Sequence, residues 1–136
     1  MNKKHLILAA LIMAGAVSTY AVQDKRTDKT AMSRQADGTY VVNTTSLAKD
    51  VKGFRGATPV RIYIKSNKIV KVEALPNQES PNFFAKVKQG LLTKWNGMKA
   101  SKAASTLVDG VTGATYSSKA IKENVKRGAA YYLKNK

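Results

Sequence analysis

PVRIYIKSNKIVKVEAL, residues 59–75, is the stretch that decides the fold of this chain. In its first half, three apolar residues alternate with polar or amphipathic ones: Val60, Ile62 and Ile64. A period of two predicts a strand with one buried face. Ser66-Asn67 predicts a turn, and residues 68–75 predict the returning strand. The stretch therefore predicts a β-hairpin with one face in a hydrophobic core.

Further elements are predicted on both sides of this hairpin. Upstream, the β-branched and aromatic run from Thr39 to Thr45 predicts a strand, and Gly53-Phe-Arg-Gly56 predicts a turn. Downstream, Ser80 and Pro81 predict the start of a helix, as its N-cap and its first residue. The apolar residues of this helix recur at spacings of three and four, which indicates one buried stripe: Phe84, Val87, Leu91 and Trp95.

Two more helices are predicted near the C-terminus. A short one covers Ser101 to Leu107, and a long amphipathic one covers Ser117 to about Leu133. The apolar face of the long helix consists of Ile121, Val125, Ala129 and Tyr132. Strands followed by helices predict an α+β fold, in which a small antiparallel sheet has helices packed on it.

The composition limits the function classes. The chain has 136 residues, enough for one small domain, and its 24 basic and 8 acidic residues give a formal net charge of +16. Because the basic residues are spread along the chain, a solvated surface is the default interpretation; a patch for nucleic acid, anionic lipid or an acidic protein is the alternative. The absence of cysteine excludes disulfides, thiolate metal sites, c-type haem attachment and lipoprotein acylation.

The N-terminus predicts an export signal. Lys3 and Lys4 precede an uncharged apolar run, Leu6 to Val17, which is shorter than the ~20 residues of a membrane span. Small residues precede a plausible cleavage site after Ala21. We therefore expect a signal peptide at 1–21, a polar linker at 22–36 and one domain at 37–136, located in the periplasm or on the extracytoplasmic face of the membrane. A retained membrane anchor is the alternative.

A hydroxyl-rich loop, DGVTGATYSS at residues 109–118, precedes the last predicted helix. Its glycines permit a tight turn and close approach, and a helix N-terminus offers free N–H groups to a phosphate. The loop lacks the third glycine of a Rossmann turn, the Gly-Lys-Ser/Thr ending of a P-loop and the G-x-S-x-G elbow of hydrolases. The one histidine, His5, lies in the predicted signal, so a Ser-His-Asp triad is excluded from the mature domain.

The segment Asp109-Gly-Val-Thr-Gly-Ala-Thr115 resembles the D-x-x-[S/T]-G-A-[S/T] signature of the FMN-binding domain family. This family includes the periplasmic flavin subunits of the sodium-pumping NADH:quinone reductase and of the Rnf electron-transport complex. Three other segments are similar to family motifs. Asp37-Gly-Thr-Tyr40 resembles the opening strand, Gly53-Phe-Arg-Gly56 the G-[Y/F]-x-G turn, and Glu79-Ser-Pro81 the E-T-P element.

This resemblance implies a covalent FMN. In the family, a separate exported flavin transferase uses FAD to join FMN to the last threonine of the signature, which corresponds here to Thr115. The resemblance also implies cofactor-binding roles for other residues of the signature loop: Asp109, Thr112, Gly113 and Ala114. Around the isoalloxazine ring it implies a second group: Gly56, Ala57, Glu79, Ser80 and Pro81. Phe83, where the family commonly has leucine, is a candidate for ring stacking or for core packing.

The resemblance further implies an exported electron-transfer flavoprotein, which acts as a redox module rather than as a stand-alone catalyst. Its expected partners are the flavin transferase and redox proteins at the cytoplasmic membrane or in the envelope, and no nucleic acid is expected. The charge alone leaves an alternative from another class open: a cationic envelope or nucleic-acid-binding module without flavin.

Overall fold

The computed structural model of the chain describes residues 31–105, 108 and 115–136. Its architecture is the predicted α+β arrangement, an antiparallel sheet followed by helices. The predicted signal peptide at 1–21 and most of the predicted linker at 22–36 lie outside the described residues. No helix in the described parts of the chain is both long and apolar enough for a membrane crossing.

The sheet has four strands in the order β1-β2-β3-β4, each antiparallel to its neighbour. The strands are β1 Met32–Arg34, β2 Tyr40–Asn43, β3 Val60–Lys65 and β4 Lys68–Ala74. β3 and β4 are the predicted hairpin. Its turn residues Ser66 and Asn67 have φ angles of 53° and 63°, and two consecutive positive φ angles are what a type I′ turn requires.

β1 begins within the segment predicted as a polar linker, so that prediction is wrong for Met32–Arg34. Met32 pairs with Val42, and Arg34 pairs with Tyr40. The strand is held by backbone pairing with β2, which does not depend on the polarity of its side chains. A short strand at the edge of a sheet therefore leaves no hydrophobic period in the sequence.

The helical part comprises α1 Pro81–Gly90, a 3-10 helix Leu92–Trp95, α2 Ala100–Ser105 and α3 Thr115–Asn135. α1 begins at the predicted residue, although the side chain of Ser80 makes no capping hydrogen bond. All four residues of the predicted apolar stripe are buried. The single helix that was predicted over them is instead divided after Gly90, a residue type that weakens a helix by about 1 kcal/mol relative to alanine.

α3 packs across β2 and β3 with its predicted apolar face inward. Gly128 allows the close approach, because an added Cβ would collide with Ile62 and come within 3.0 Å of Thr44 Cγ2. A polar link crosses the same interface. Thr44 Oγ1 accepts a hydrogen bond from Val60 N at 2.9 Å and donates one to Asn124 of α3. This packing fixes α3, and with it Thr115, relative to the sheet.

Candidate functional site

Thr115 is the first residue of α3, and its side chain is exposed. The helix begins two residues before the predicted start at Ser117. The other signature residues lie outside the described residues: Asp109, Thr112, Gly113 and Ala114. The described part of the site is therefore built on the first turn of α3 and on the segments that contact it.

One buried carboxylate connects the start of α3 to the glycine turn that precedes β3. Glu79 is 6% exposed. Its Oε1 accepts hydrogen bonds from Ser117 Oγ at 2.5 Å and from the backbone N–H of Phe54 at 2.8 Å. Its Oε2 accepts one from the backbone N–H of Arg55 at 2.6 Å. A carboxylate out of water needs such donors, and here they come from two segments far apart in the chain.

These contacts also set the ionisation of Glu79. Burial raises the pKa of this carboxyl group, but the hydrogen bonds from Ser117, Arg55 and Phe54 together lower it more, so its pKa lies below the ordinary value. The positive charge of Arg55 acts in the same direction. Glu79 is therefore an anion at neutral pH, and as an anion it accepts hydrogen bonds from all three donors.

The two glycines of the predicted turn have different roles. Gly53 faces inward, where an added Cβ would collide with the Glu79 carboxylate and lie 3.2 Å from Thr58 Cγ2. Its backbone N–H donates to Gly56 O at 2.7 Å, which closes the turn. An added Cβ at Gly56 would meet nothing within 4 Å. The turn is therefore packed against Glu79 on one side and open on the other.

The predicted ring-binding residues divide between two places. Gly56 and Glu79 both belong to the arrangement around the turn. Pro81 is exposed. Together with Glu79, Leu75 and Phe84 it lines a cavity of about 450 Å³. Of the other two predicted residues, Ala57 is exposed and Ser80 is half-buried. The side chain of Phe83, the candidate for stacking, lies outside the described part of the structure.

Sequence reasoning missed an aromatic pair next to Thr115. Phe54 in the glycine turn and Tyr116 in the first turn of α3 are 64% and 61% exposed. Their ring centroids are 6.0 Å apart, and the ring planes are tilted by 37°. The sequence signals were the aromatic position of the glycine-turn motif and the tyrosine directly after the signature, and neither indicates that the two rings meet.

The first turn of α3 also has a distinctive charge. It contains no acidic residue, and the exposed Lys119 follows it directly. A lysine at this end opposes the helix dipole, whereas an anion bound there is favoured by both the dipole and the lysine. The start of α3 is therefore an electrostatically suitable place for a phosphate group.

Comparison with known families agrees with this geometry. A model of the FMN-binding domain matches residues 53–130, from the inward-facing glycine of the turn to the last part of α3. No curated protein and no solved structure matches the chain. The family match spans every described segment that meets around Thr115, namely the glycine turn, Glu79 and the start of α3. Because it also covers more than half of the sequence, the chain belongs to the FMN-binding domain family and is an FMN-binding flavoprotein.

Proposed function

We propose that this protein carries FMN covalently on Thr115 and works outside the cytoplasm as an electron-transfer module. The observation that carries the proposal is the position of Thr115. It is the last residue of the family signature and the first residue of a long helix, and its side chain is exposed. An acceptor hydroxyl has to be accessible to the enzyme that modifies it.

The residues around Thr115 suit the cofactor. The phosphodiester of attached FMN keeps one negative charge, which the N-terminus of α3 and Lys119 would both stabilise. The open side of Gly56 leaves space next to the turn, because no atom lies within 4 Å of the place that a Cβ would occupy. The site therefore offers an anion-binding helix end and an adjacent open surface.

The attachment reaction needs help from another protein. The Thr115 hydroxyl would form a bond to the phosphorus of the FMN half of FAD while the pyrophosphate bond breaks and AMP leaves. The hydroxyl proton has to pass to a base, and a threonine hydroxyl is a weak nucleophile without one. The only histidine of the chain, His5, lies in the predicted signal. A flavin transferase that supplies base and metal fits this lack.

When bound, FMN supplies the redox chemistry, and the protein supplies attachment, orientation and electrostatics. Covalent attachment keeps the cofactor from diffusing away outside the cytoplasm. The remaining partners would be a membrane reductase and an acceptor in the envelope. The large excess of basic over acidic residues would favour acidic partners and make the association sensitive to salt.

The test is the mass of the protein after export from cells that contain an active flavin transferase. We expect the wild type to gain FMN minus water and to give a fluorescent band on a denaturing gel. Thr115→Ala should gain nothing, Thr115→Ser should retain modification, and Thr93→Ala, which changes another exposed threonine, should be fully modified. An unmodified wild type, with the transferase shown to be active on another acceptor, would overturn the proposed attachment.

A further inference from the structure

Two large aromatic side chains are exposed next to each other beside Thr115. Three large hydrophobic residues are exposed among the described residues, namely Phe54, Val70 and Tyr116, and two of these three are in contact. Burial of each ring in the core would be favourable, since an aromatic side chain buries a large apolar area. An exposed apolar pair of this kind indicates a surface that contacts something else.

The pair rests on a backbone that is held in place. The N–H of Phe54 and the hydroxyl of Ser117, the residue after Tyr116, both donate to the same oxygen of Glu79, at 2.8 Å and 2.5 Å. Gly53 packs against this carboxylate on the inner side. Both rings are therefore exposed, yet the segments that carry them are joined through one buried atom. Such support is what positions a binding surface before its ligand arrives.

The pair lies beside Thr115, the proposed attachment residue. Tyr116 directly follows Thr115, and Phe54 lies in the same turn as Gly56, whose outer side is open. A flavin joined to Thr115 through its ribityl phosphate chain stays in the neighbourhood of these rings. Flat aromatic groups associate in offset or tilted arrangements with centroids about 4.5–7 Å apart. An isoalloxazine ring is flat, partly apolar and able to cover both exposed faces.

We propose that Phe54 and Tyr116 form the platform against which the isoalloxazine ring of the attached FMN lies. This inference rests on the proposed attachment at Thr115 and adds two residues that the sequence motifs do not assign to the ring. It places the ring on the outer side of the glycine turn, rather than in the cavity between Leu75 and Phe84.

Flavin fluorescence tests the contact separately from the attachment. A phenol in contact with an excited flavin quenches its emission by reversible electron transfer, whereas a phenyl group is too difficult to oxidise. The emission of each flavinylated protein is therefore measured first in the folded state and then after unfolding in guanidinium. The ratio of folded to unfolded emission does not depend on flavin content. We expect a low ratio in the wild type and a several-fold rise in Tyr116→Phe. Tyr63→Phe, on a strand of the sheet, is the matched control and should leave the ratio unchanged.

A second variant keeps the inference falsifiable if Tyr116→Phe folds poorly. In Phe54→Ala, which retains the phenol, we expect a changed flavin absorption band and visible circular dichroism, with the same attached mass. If both variants leave emission and spectra as in the wild type, the platform is wrong. If they lower only the flavinylated fraction, the pair contacts the transferase instead, which also overturns the inference. A wild type without attached FMN would end the inference together with the proposed function, and the mass measurement identifies that case.

Discussion

At the scale of single residues, Glu79 joins the two segments near Thr115. Its side chain accepts hydrogen bonds from both the glycine turn and the start of α3. In Glu79→Gln, one acceptor oxygen becomes an NH₂ group that faces a backbone N–H or the Ser117 hydroxyl. A buried donor left without its acceptor costs about 1–3 kcal/mol. We therefore expect the free energy of unfolding in urea to fall by about that amount at neutral pH. Glu73→Gln, which changes an exposed carboxylate on β4, is the control.

The contribution of Glu79 to the stability of the fold depends on pH, and the direction of its pKa shift gives the sign. Because the pKa of Glu79 is lower in the folded protein than its ordinary value of 4.5, its ionised form stabilises the fold above that pH. The contribution is lost as the pH falls through the folded-state pKa. We expect the stability difference between the wild type and Glu79→Gln to be largest near neutral pH and to shrink below about pH 4.5. A difference that stays constant down to about pH 3 would contradict this role for the carboxylate.

At the scale of secondary-structure elements, the docking of α3 on the sheet depends on the missing side chain at Gly128. Replacing a helical glycine with alanine ordinarily stabilises a helix by about 1 kcal/mol. Here the new methyl group would collide with Ile62 and approach Thr44 Cγ2 to 3.0 Å, and overpacking costs about 1–3 kcal/mol. We expect Gly128→Ala to lower the melting temperature despite its higher helix propensity.

Gly90→Ala provides the matched comparison, since Gly90 is an exposed helical residue at the end of α1. This variant should gain stability or remain neutral in the same melting experiment. If Gly128→Ala stabilised the protein as much as Gly90→Ala, the contact between α3 and β3 would be looser than described. The thermal melts can be followed by far-ultraviolet circular dichroism, which reports helix loss directly.

At the scale of the whole molecule, charge is the dominant property. With 24 basic residues against 8 acidic ones, most cations have no carboxylate in the chain to pair with, and net repulsion opposes the compact state. Salt screens this repulsion over a Debye length of about 10 Å at 0.1 M. The exposed ion pairs, such as Lys65 with Asp37, are also screened, but pairs of this kind are worth little.

We therefore expect the melting temperature to rise as sodium chloride increases from about 0.01 M to about 0.3 M. Potassium chloride at the same ionic strength should act equally, because the effect belongs to screening rather than to a bound ion. An uncharged osmolyte of equal osmolality serves as the control for solvent exclusion. A melting temperature that falls with salt would mean that the ion pairs outweigh the net repulsion.

Much of the fold could be predicted because the signals are local. The alternation in residues 60–64 and the turn residues Ser66-Asn67 predict the hairpin, and the Ser80-Pro81 pair predicts the start of α1. Side-chain period and turn chemistry act within a few residues, so they can be read along the chain. The sequence did not indicate β1, and it predicted one undivided helix over Phe84 to Trp95, for the complementary reason: pairing partners and the ends of helices depend on more distant contacts.

The sequence by itself determined the α+β class and the FMN-binding family, and it nominated Thr115, whose attachment to FMN stays a prediction. Only the tertiary structure decided how the site is assembled. It made Gly53 the inward-facing glycine, gave Glu79 donors from two distant segments, and brought Phe54 against Tyr116. A motif states which residues are present, whereas hydrogen bonds and ring contacts between distant segments exist only after the sheet and α3 have packed together.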